Sequence, residues 1–440
     1  MRTLHGIALL VLFCSAHGAT SKRQNVTDER VNVASNDGKK GAFIKFPLEV
    51  GKRIEADTDG NKIISTLSVT VMLSVLYLAA AGDTAKQIEN ALNLPPNAEK
   101  VIDVLTTLRN AVERPNRDFN LENYPLKTET KVILKESLAP PPENEIAKTF
   151  AEFVAEHLFA KIEVTPQFDD TVRSKVNQWA SEFTKGTIKN LILPGELNEN
   201  QAALLVNAVL LQAKWLHPFD PSRSKKYDFF VVKDKQNQTF KRIQVDGMSA
   251  ENLPCRYVWL EKLKSHALEL RLSDSLSRVL ILLPGDLSAN LDDLENAVDA
   301  KLFTDIHSKL MERQDVDVQI PVVNIETKAS MRMLLEKMGI RKVFERDSAE
   351  LPGLTGKLLD HSIHVSDFKH QANLKWNETG VLASGGSVGD IAFTWNLSPV
   401  INVDRPFLLY VNSFASSNSR QPNLILFTGR ISLPVVSYEE

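Results

Sequence analysis

Apolar residues recur along the chain with two periods, and the change between them sets the expected elements. From Leu67 to Leu78 nearly every position is apolar, as in a helix enclosed on all sides. Gly82-Asp-Thr follows, then Ala85-Lys-Gln-Ile-Glu-Asn-Ala-Leu, a second short helix with Asp83 or Thr84 as its cap. Asp170 to Phe183 places Val172, Val176 and Trp179 on one helical face. Ala202 to Leu211 is a nearly continuous apolar run, the mark of a strand buried on both faces. Residues 278–284 and 423–428 read as shorter core strands, and Thr327 to Met338 as a helix closed by Gly339. The most regular strand is His370 to Glu378. Its period of two puts His370, Ala372, Leu374, Trp376 and Glu378 on a buried face, and Gln371, Asn373, Lys375 and Asn377 on a wet one. Helices fall mainly in the first half and strands in the second. The expected class is α+β, with helices packed on large, mostly antiparallel sheets.

Composition changes that picture little. Among 440 residues, 24% are charged and the formal net charge is −3, so no bulk basic field points to nucleic acid. Arg2 precedes an apolar run from Gly6 to Phe13, which ends in Cys14-Ser-Ala-His-Gly-Ala19. A charged start, a short apolar stretch and small residues read as a signal peptide over 1–19, cleaved after Gly18 or Ala19. A secreted, extracellular protein is therefore expected. The run falls short of the roughly 18 apolar residues of a membrane helix, and no later stretch reaches that length, so no membrane partner is expected. Cleavage removes one of the two Cys and leaves Cys255, expected to be a buried, inert thiol. Sequons occur at Asn25, Asn237, Asn377 and Asn396. Asn25, in a polar leader, and Asn237, in what reads as a hairpin turn, are the expected glycosylation sites. Residues 20–40 are polar and aperiodic, a flexible extension. No Gly/Ser linker or repeat divides the rest, so one large monomeric domain over 41–437 is expected.

Four stretches carry candidate chemistry. Gly385-Gly-Ser387-Val-Gly389 matches the nucleophile elbow of hydrolases, but that motif needs a helix after it and a later His. The following Asp390-Ile-Ala-Phe-Thr-Trp has no helical period, and no His lies beyond His370. Asp360, His361, His364, Asp367 and His370 are dense in ligand types. In an extended chain, however, His361 and His364 point to opposite faces, so no metal and no cofactor are expected. Basic clusters at Arg223–Lys226 and Lys233–Arg242 are candidates for a sulfated polysaccharide, a solvated surface being the commoner role of such charges. The outstanding feature is Thr379 to Ser398. It is rich in Gly and Ser, leaves the regular strand directly and ends at Pro399. A loop of that length inside a compact domain is usually functional.

With these residues in view, the chain resembles the serpins, the serine-protease-inhibitor family with a mobile reactive-centre loop. The resemblance runs from about residue 41 to 437. Asn61-Lys-Ile-Ile-Ser65-Thr-Leu-Ser68-Val is similar to the family's N-V-V-I-S-P-L-S-V, and Leu78 to Ile88 to its L-G-A-x-G-x-T-x-x-Q-I. Val176-Asn-Gln-Trp179, Leu205-Val-Asn207-Ala, Lys214-Trp215-Leu-His-Pro-Phe219 and Ile401-Asn-Val-Asp404-Arg405-Pro406-Phe407 each match a further family motif. The resemblance implies three sheets, about eight or nine helices and an exposed reactive-centre loop over about 380–399. It places Ser65, Ser68, Asn207 and His370 at the shutter beneath the central sheet, and Trp215 and Glu378 at the breach at its top. Such buried polar groups must find partners, and four on different segments are expected to share one network.

It also implies a mechanism without enzymatic activity of its own. A serine protease cleaves the loop, an acyl-enzyme forms, and the freed loop enters the central sheet as a new strand. Alternation from Gly380 puts Val381, Ala383, Gly385, Ser387, Gly389, Ile391 and Phe393 inward, with Asp390, the one charge, outward. Insertion thus buries no carboxylate. The hinge reads Glu378, Thr379, Gly380, Val381, Leu382, Ala383, Ser384, Gly385, Gly386, against the family's E-E-G-T-E-A-A-A-A. Leu382 in place of an acid is the larger departure and bears on insertion speed. Counting from the hinge gives Thr394–Trp395 as the reactive bond; counting back from Pro406 gives Trp395–Asn396. Phe393 and Trp395 favour a chymotrypsin- or elastase-like target. A non-inhibitory carrier, storage or binding protein is the alternative.

Overall fold

The computed structural model describes residues 41–58, 60–94, 104–110, 126–211, 213–234, 239–357, 360–381 and 398–434. The helices used below are α1 (Phe46–Arg53), α2 (Thr66–Ala79), α3 (Gly82–Leu92), α4 (Glu145–Leu158), α5 (Asp170–Phe183), α6 (Leu291–Ala297), α7 (Ala300–Lys309) and α8 (Met331–Lys337). The apolar run of α2 does what its composition requires: every residue of the helix is buried, and it lies between the two sheets, against β4 (Ala203–Leu211) and β16 (Pro422–Ile431).

Seven strands form the first sheet. Its order is β3 (Ala160–Thr165), β2 (Leu126–Lys135), β4, β12 (Val365–Asn377), β13 (Gly380–Val381), β5 (Ala213–Lys214), with β11 (Val323–Ser330) also on β12. All nine residues of β4 are buried, as the unbroken apolar run requires.

The other ladder has nine strands and is two sheets joined by one long strand. β7 (Thr239–Leu260) pairs with β6 (Lys225–Asp234) along its first part and with β10 (Met311–Pro321) along its middle. Its last part pairs with β8 (Ser265–Arg271), which leads to β9 (Ser277–Pro284), β15 (Phe407–Phe414), β16 and β1 (Lys62–Ile64). With the seven-stranded sheet this makes the three expected sheets. The main core fills the space between them. A second core lies under α6 and α7 on the outer face of the β8–β9–β15 sheet. A third lies under α5, where Val172, Val176 and Ala180 meet Ile133, Leu204 and Val206.

Four local expectations are corrected. α3 begins at Gly82, with Ala81 in the cap position and no side-chain cap. Asp83 and Thr84 are drawn elsewhere: Asp83 pairs with Lys342 at 2.9 Å, and the Thr84 hydroxyl accepts the Glu350 amide at 3.1 Å. The expected helix Thr327–Met338 is a strand to Ser330 and a helix only from Met331. Finally, β12 stops at Asn377, before Glu378, because the chain turns back there to make β13. Gln371 is also buried, at 2% exposed, so the outward face of β12 is closed over between the partly exposed Lys369 and Asn373. Cys255 is buried as expected, and burial pushes its thiol up to about 12.

Candidate functional site

Strands β4 and β12 lie side by side but are paired over only part of their length. The parallel ladder runs from Val365↔Ala203 to His370↔Asn207. Beyond it, Gln371–Lys375 and Ala208–Leu211 form no ladder with each other among the described residues. At the far end β13 fills the space. Gly380 and Val381 pair with Asn377 and Trp376 on one side and with Lys214 and Ala213 on the other. The seam is zipped below, wedged above and unpaired between. Gly380 has φ +147°, a conformation that suits glycine and strains an L side chain, so the hinge Gly has a backbone reason.

The wedge is held by the turn that precedes it. Trp215 is 2% exposed; its indole N–H donates to the Asn377 carbonyl at 2.8 Å and its amide to the Thr379 carbonyl at 3.0 Å. The Phe219 amide donates to the Glu378 carbonyl at 2.9 Å. The Asn377 side-chain oxygen accepts the Thr379 amide and hydroxyl, closing the turn. The Glu378 carboxylate does not meet Trp215. It accepts the Ser224 hydroxyl at 2.5 Å, tying the hinge to the segment that enters β6. Trp376 packs beside Trp215: its ring stands edge-on with centroids 5.9 Å apart, and its N–H donates to the Pro321 carbonyl at 2.7 Å.

Where the zipped part of the seam ends, three of the four expected shutter residues come together. The Ser68 hydroxyl donates to the Ser65 hydroxyl at 2.9 Å, and the Ser65 amide donates to His370 Nε2 at 3.3 Å. Ser65 also caps α2, its hydroxyl accepting the Ser68 amide. Asn207 is not part of this chain of bonds. Its amide donates to Thr128 at 3.1 Å and Thr130 at 2.8 Å, both on β2. The expected single network is therefore two half-networks on either side of the seam. His370 Nδ1 and Asn207 Oδ1, on facing register partners, are both buried without a hydrogen bond. Burial holds the His370 ring down to about 4, so it is neutral there. Sequence reading missed Thr128 and Thr130. Their signal was available: they interrupt the buried face of an alternating strand, at Leu126, Thr128, Thr130 and Val132.

The far end of the loop is anchored separately. The Ser398 hydroxyl donates to Asn252 at 2.9 Å, the Pro399 carbonyl accepts the Asp317 amide, and β14 (Val400–Asn402) runs parallel to β10. Several assigned positions lie outside the described residues: Leu382, Ala383, Ser384, Gly385 and Gly386 of the hinge, and Thr394, Trp395 and Asn396 of the reactive bond. So do Asn25, Asn237, the leader 1–19 and the extension 20–40.

The central sheet is thus paired at one end of the β4–β12 seam and holds the two-residue strand β13 at the other. A family model described as Serpin (serine protease inhibitor) matches residues 42–434, and the chain belongs to the serpin family. Serine protease inhibitor 42Dd of Drosophila melanogaster is 26% identical, over 86% of this chain and 93% of its own. Leukocyte elastase inhibitor of Xenopus tropicalis is 25% identical, over 89% and 98%. Human thyroxine-binding globulin shares the fold with a TM-score of 0.76 at 21% identity, covering 91% of this chain and 100% of that one. Serpin48 of the insect Tenebrio molitor, described as highly specific, gives 0.70 at 25% identity, covering 93% and 100%.

Proposed function

We propose that the protein is a secreted suicide-type inhibitor of a chymotrypsin- or elastase-like serine protease. The observation that carries this reading is β13. The first two loop residues already form a strand between β12 and β5, and the next step downward is the unpaired part of the seam. The protease serine would attack the carbonyl of Thr394 or Trp395, forming an ester and releasing the new amine. The freed loop would then extend β13 between β4 and β12, dragging the acyl-enzyme before water hydrolyses it. Amide pairing alone is roughly offset by ordering the loop, so burial of Val381, Ile391 and Phe393 supplies the drive. Relatives described as serine protease and leukocyte elastase inhibitors support the reading. The leader supports secretion, and Asn25 and Asn237 are the proposed glycan sites. A sulfated polysaccharide is a further proposed partner. Exposed Lys225, Lys226 and Lys241 would carry it, since Arg223 is matched by Glu251 and Arg242 by Asp228. The test is a panel of chymotrypsin- and elastase-like proteases, with mass spectrometry of the cut loop. An SDS-resistant complex is expected, and its absence across the panel defeats the reading.

One observation favours a second reading, a non-inhibitory carrier. A cavity of about 550 Å³ is lined by Val231, Phe240, Pro284, Leu287, Arg405 and Arg430, among others. Arg405 is already matched by Asp404, and Arg430 by Asp292 and Glu295. Asp286, Ser288, Asn290 and Ser432 also line it, so the fitting ligand is a small molecule with both apolar and hydrogen-bonding parts. Thyroxine-binding globulin, solved with thyroxine, shows that this fold can serve as a carrier. A carrier would gain no heat stability on loop cleavage; a large rise in melting temperature rejects this reading.

A further inference from the structure

The lower seam is fastened on both faces at consecutive residues. His370, facing inward, accepts the Ser65 amide. Lys369, facing the other way, reaches across the seam on the outer face. Its ammonium lies 2.9 Å from Glu196 and 2.9 Å from Asp367. Asp367 belongs to β12 itself and orients the lysine. Glu196 belongs to the opposite side: it sits in the segment between α5 and β4, a strap that continues into Ala203 of β4. The strap is well fixed. The Leu193 amide donates to Glu196 Oε2 at 2.7 Å, and Asn177 of α5 holds Ile192 through both its amide atoms, at 2.8 and 2.9 Å. Glu196 is thus tied to α5 and β4, and Lys369 is part of β12; the Ala202 amide at the end of the strap also donates to the Ser366 hydroxyl of β12 at 2.8 Å, a second tie across the same seam.

A strand entering between β4 and β12 must separate them by one inter-strand spacing, about 4.8 Å. If the strap stays with β4 while β12 shifts by that spacing, the 2.9 Å contact between Glu196 and Lys369 is pulled apart. Both groups are only partly exposed, the Lys369 side chain at 17% and that of Glu196 at 33%, so water screens the pair incompletely. We propose that Glu196 and Lys369, oriented by Asp367, form a clasp across the seam that sets how readily the sheet admits a further strand. They are positioning residues, and the proposal rests on the inhibitory reading.

The test uses intact full-length protein and a synthetic peptide with the sequence of residues 380–393, annealing followed by native-gel shift. Glu196→Gln keeps an acceptor for the Leu193 amide, and Lys369→Met keeps the aliphatic stem. Each is expected to take up the peptide about 5-fold faster than wild type, equivalent to ~1 kcal/mol. Lys161→Met, which breaks the 3.0 Å pair with Glu129 away from the seam, is expected to anneal at the wild-type rate. Once annealed, wild type and the two clasp variants should unfold at the same denaturant midpoint, because the clasp is already open in that form. Wild-type rates in both clasp variants overturn the proposal. So does an annealed form that stays destabilised in them, which would make the pair an ordinary stabilising contact. If wild type takes up no peptide, the seam admits no strand and the inhibitory reading falls with the clasp. If wild type anneals and the variants match it, the clasp alone falls.

Discussion

His370 is enclosed beneath the large sheet, and desolvation lowers its ring to about 4 from an ordinary value of 6.5. The unfolded ring takes up a proton below pH 6.5 and the folded ring does not. The stabilisation is therefore complete above pH 6.5 and is lost as the pH falls toward 4, a change on the order of 3 kcal/mol. Denaturant midpoints measured from pH 7 to 4.5 should fall in wild type and fall clearly less in His370→Gln. A buried group that keeps its charge works differently. Glu269 is pulled in opposite directions: burial raises its carboxyl, while His307, Arg256 and Arg278 together lower it. The lowering prevails, since Arg256 and Arg278 both reach Oε1, at 2.8 and 3.1 Å, and all three side chains are essentially inaccessible. The Arg256 guanidinium also donates to the carbonyls of His307 and Leu310, so the cluster bolts the end of α7 to the sheet. Glu269→Gln leaves two buried cations without a counter-charge and should destabilise by about 3–5 kcal/mol, read as a shift of the unfolding midpoint.

At the scale of elements, α5 and its strap stand out because they roof the sheet on the side where the seam closes. Asn177 spans the strap with a donor and an acceptor to one residue, Ile192. Asn177→Ala should cost about 2 kcal/mol through two lost buried bonds and should raise hydrogen exchange at the Ile192 amide before it changes exchange in β4. The elements also show which parts of the fold are legible in a sequence. The buried helix α2 and strand β4 need only their apolar runs. The expected helix from Thr327 failed because its window began too late. From Val323 to Lys328 buried and exposed positions alternate, Val323, Ile325 and Thr327 being buried, a period of two paired residue by residue with β12. Only from Met331 does the spacing become helical. Ordinary local propensities gave way to a strand partner distant in sequence. At the site, motif resemblance located Ser65, Ser68, His370, Trp215 and Glu378. It did not reveal that Asn207 turns toward β2 or that Glu378 turns toward Ser224, since both depend on which neighbour lies closer in space.

For the whole molecule, the seam between β4 and β12 is unpaired beyond His370 and Asn207 among the described residues, and on the proposed inhibitory reading the cut loop would fill it. Cutting the loop should let about ten further ladder bonds form, each worth roughly 0.5–1.5 kcal/mol before the cost of ordering. Ordering the loop roughly offsets those bonds, so burial of Val381, Ile391 and Phe393 should set the gain, a rise in melting temperature of about 10 °C after cleavage, measured by calorimetry on intact and cut protein. The back-to-back placement of Lys369 and His370 has a consequence for descent. Losing or gaining one codon within β12 would swap every face of the strand, driving the ammonium into the interior and the imidazole out to water. Length changes in this lineage should therefore accumulate in connections such as 272–276, between β8 and β9, while the stretch from Asp367 to Trp376 keeps its residue count even where its letters drift.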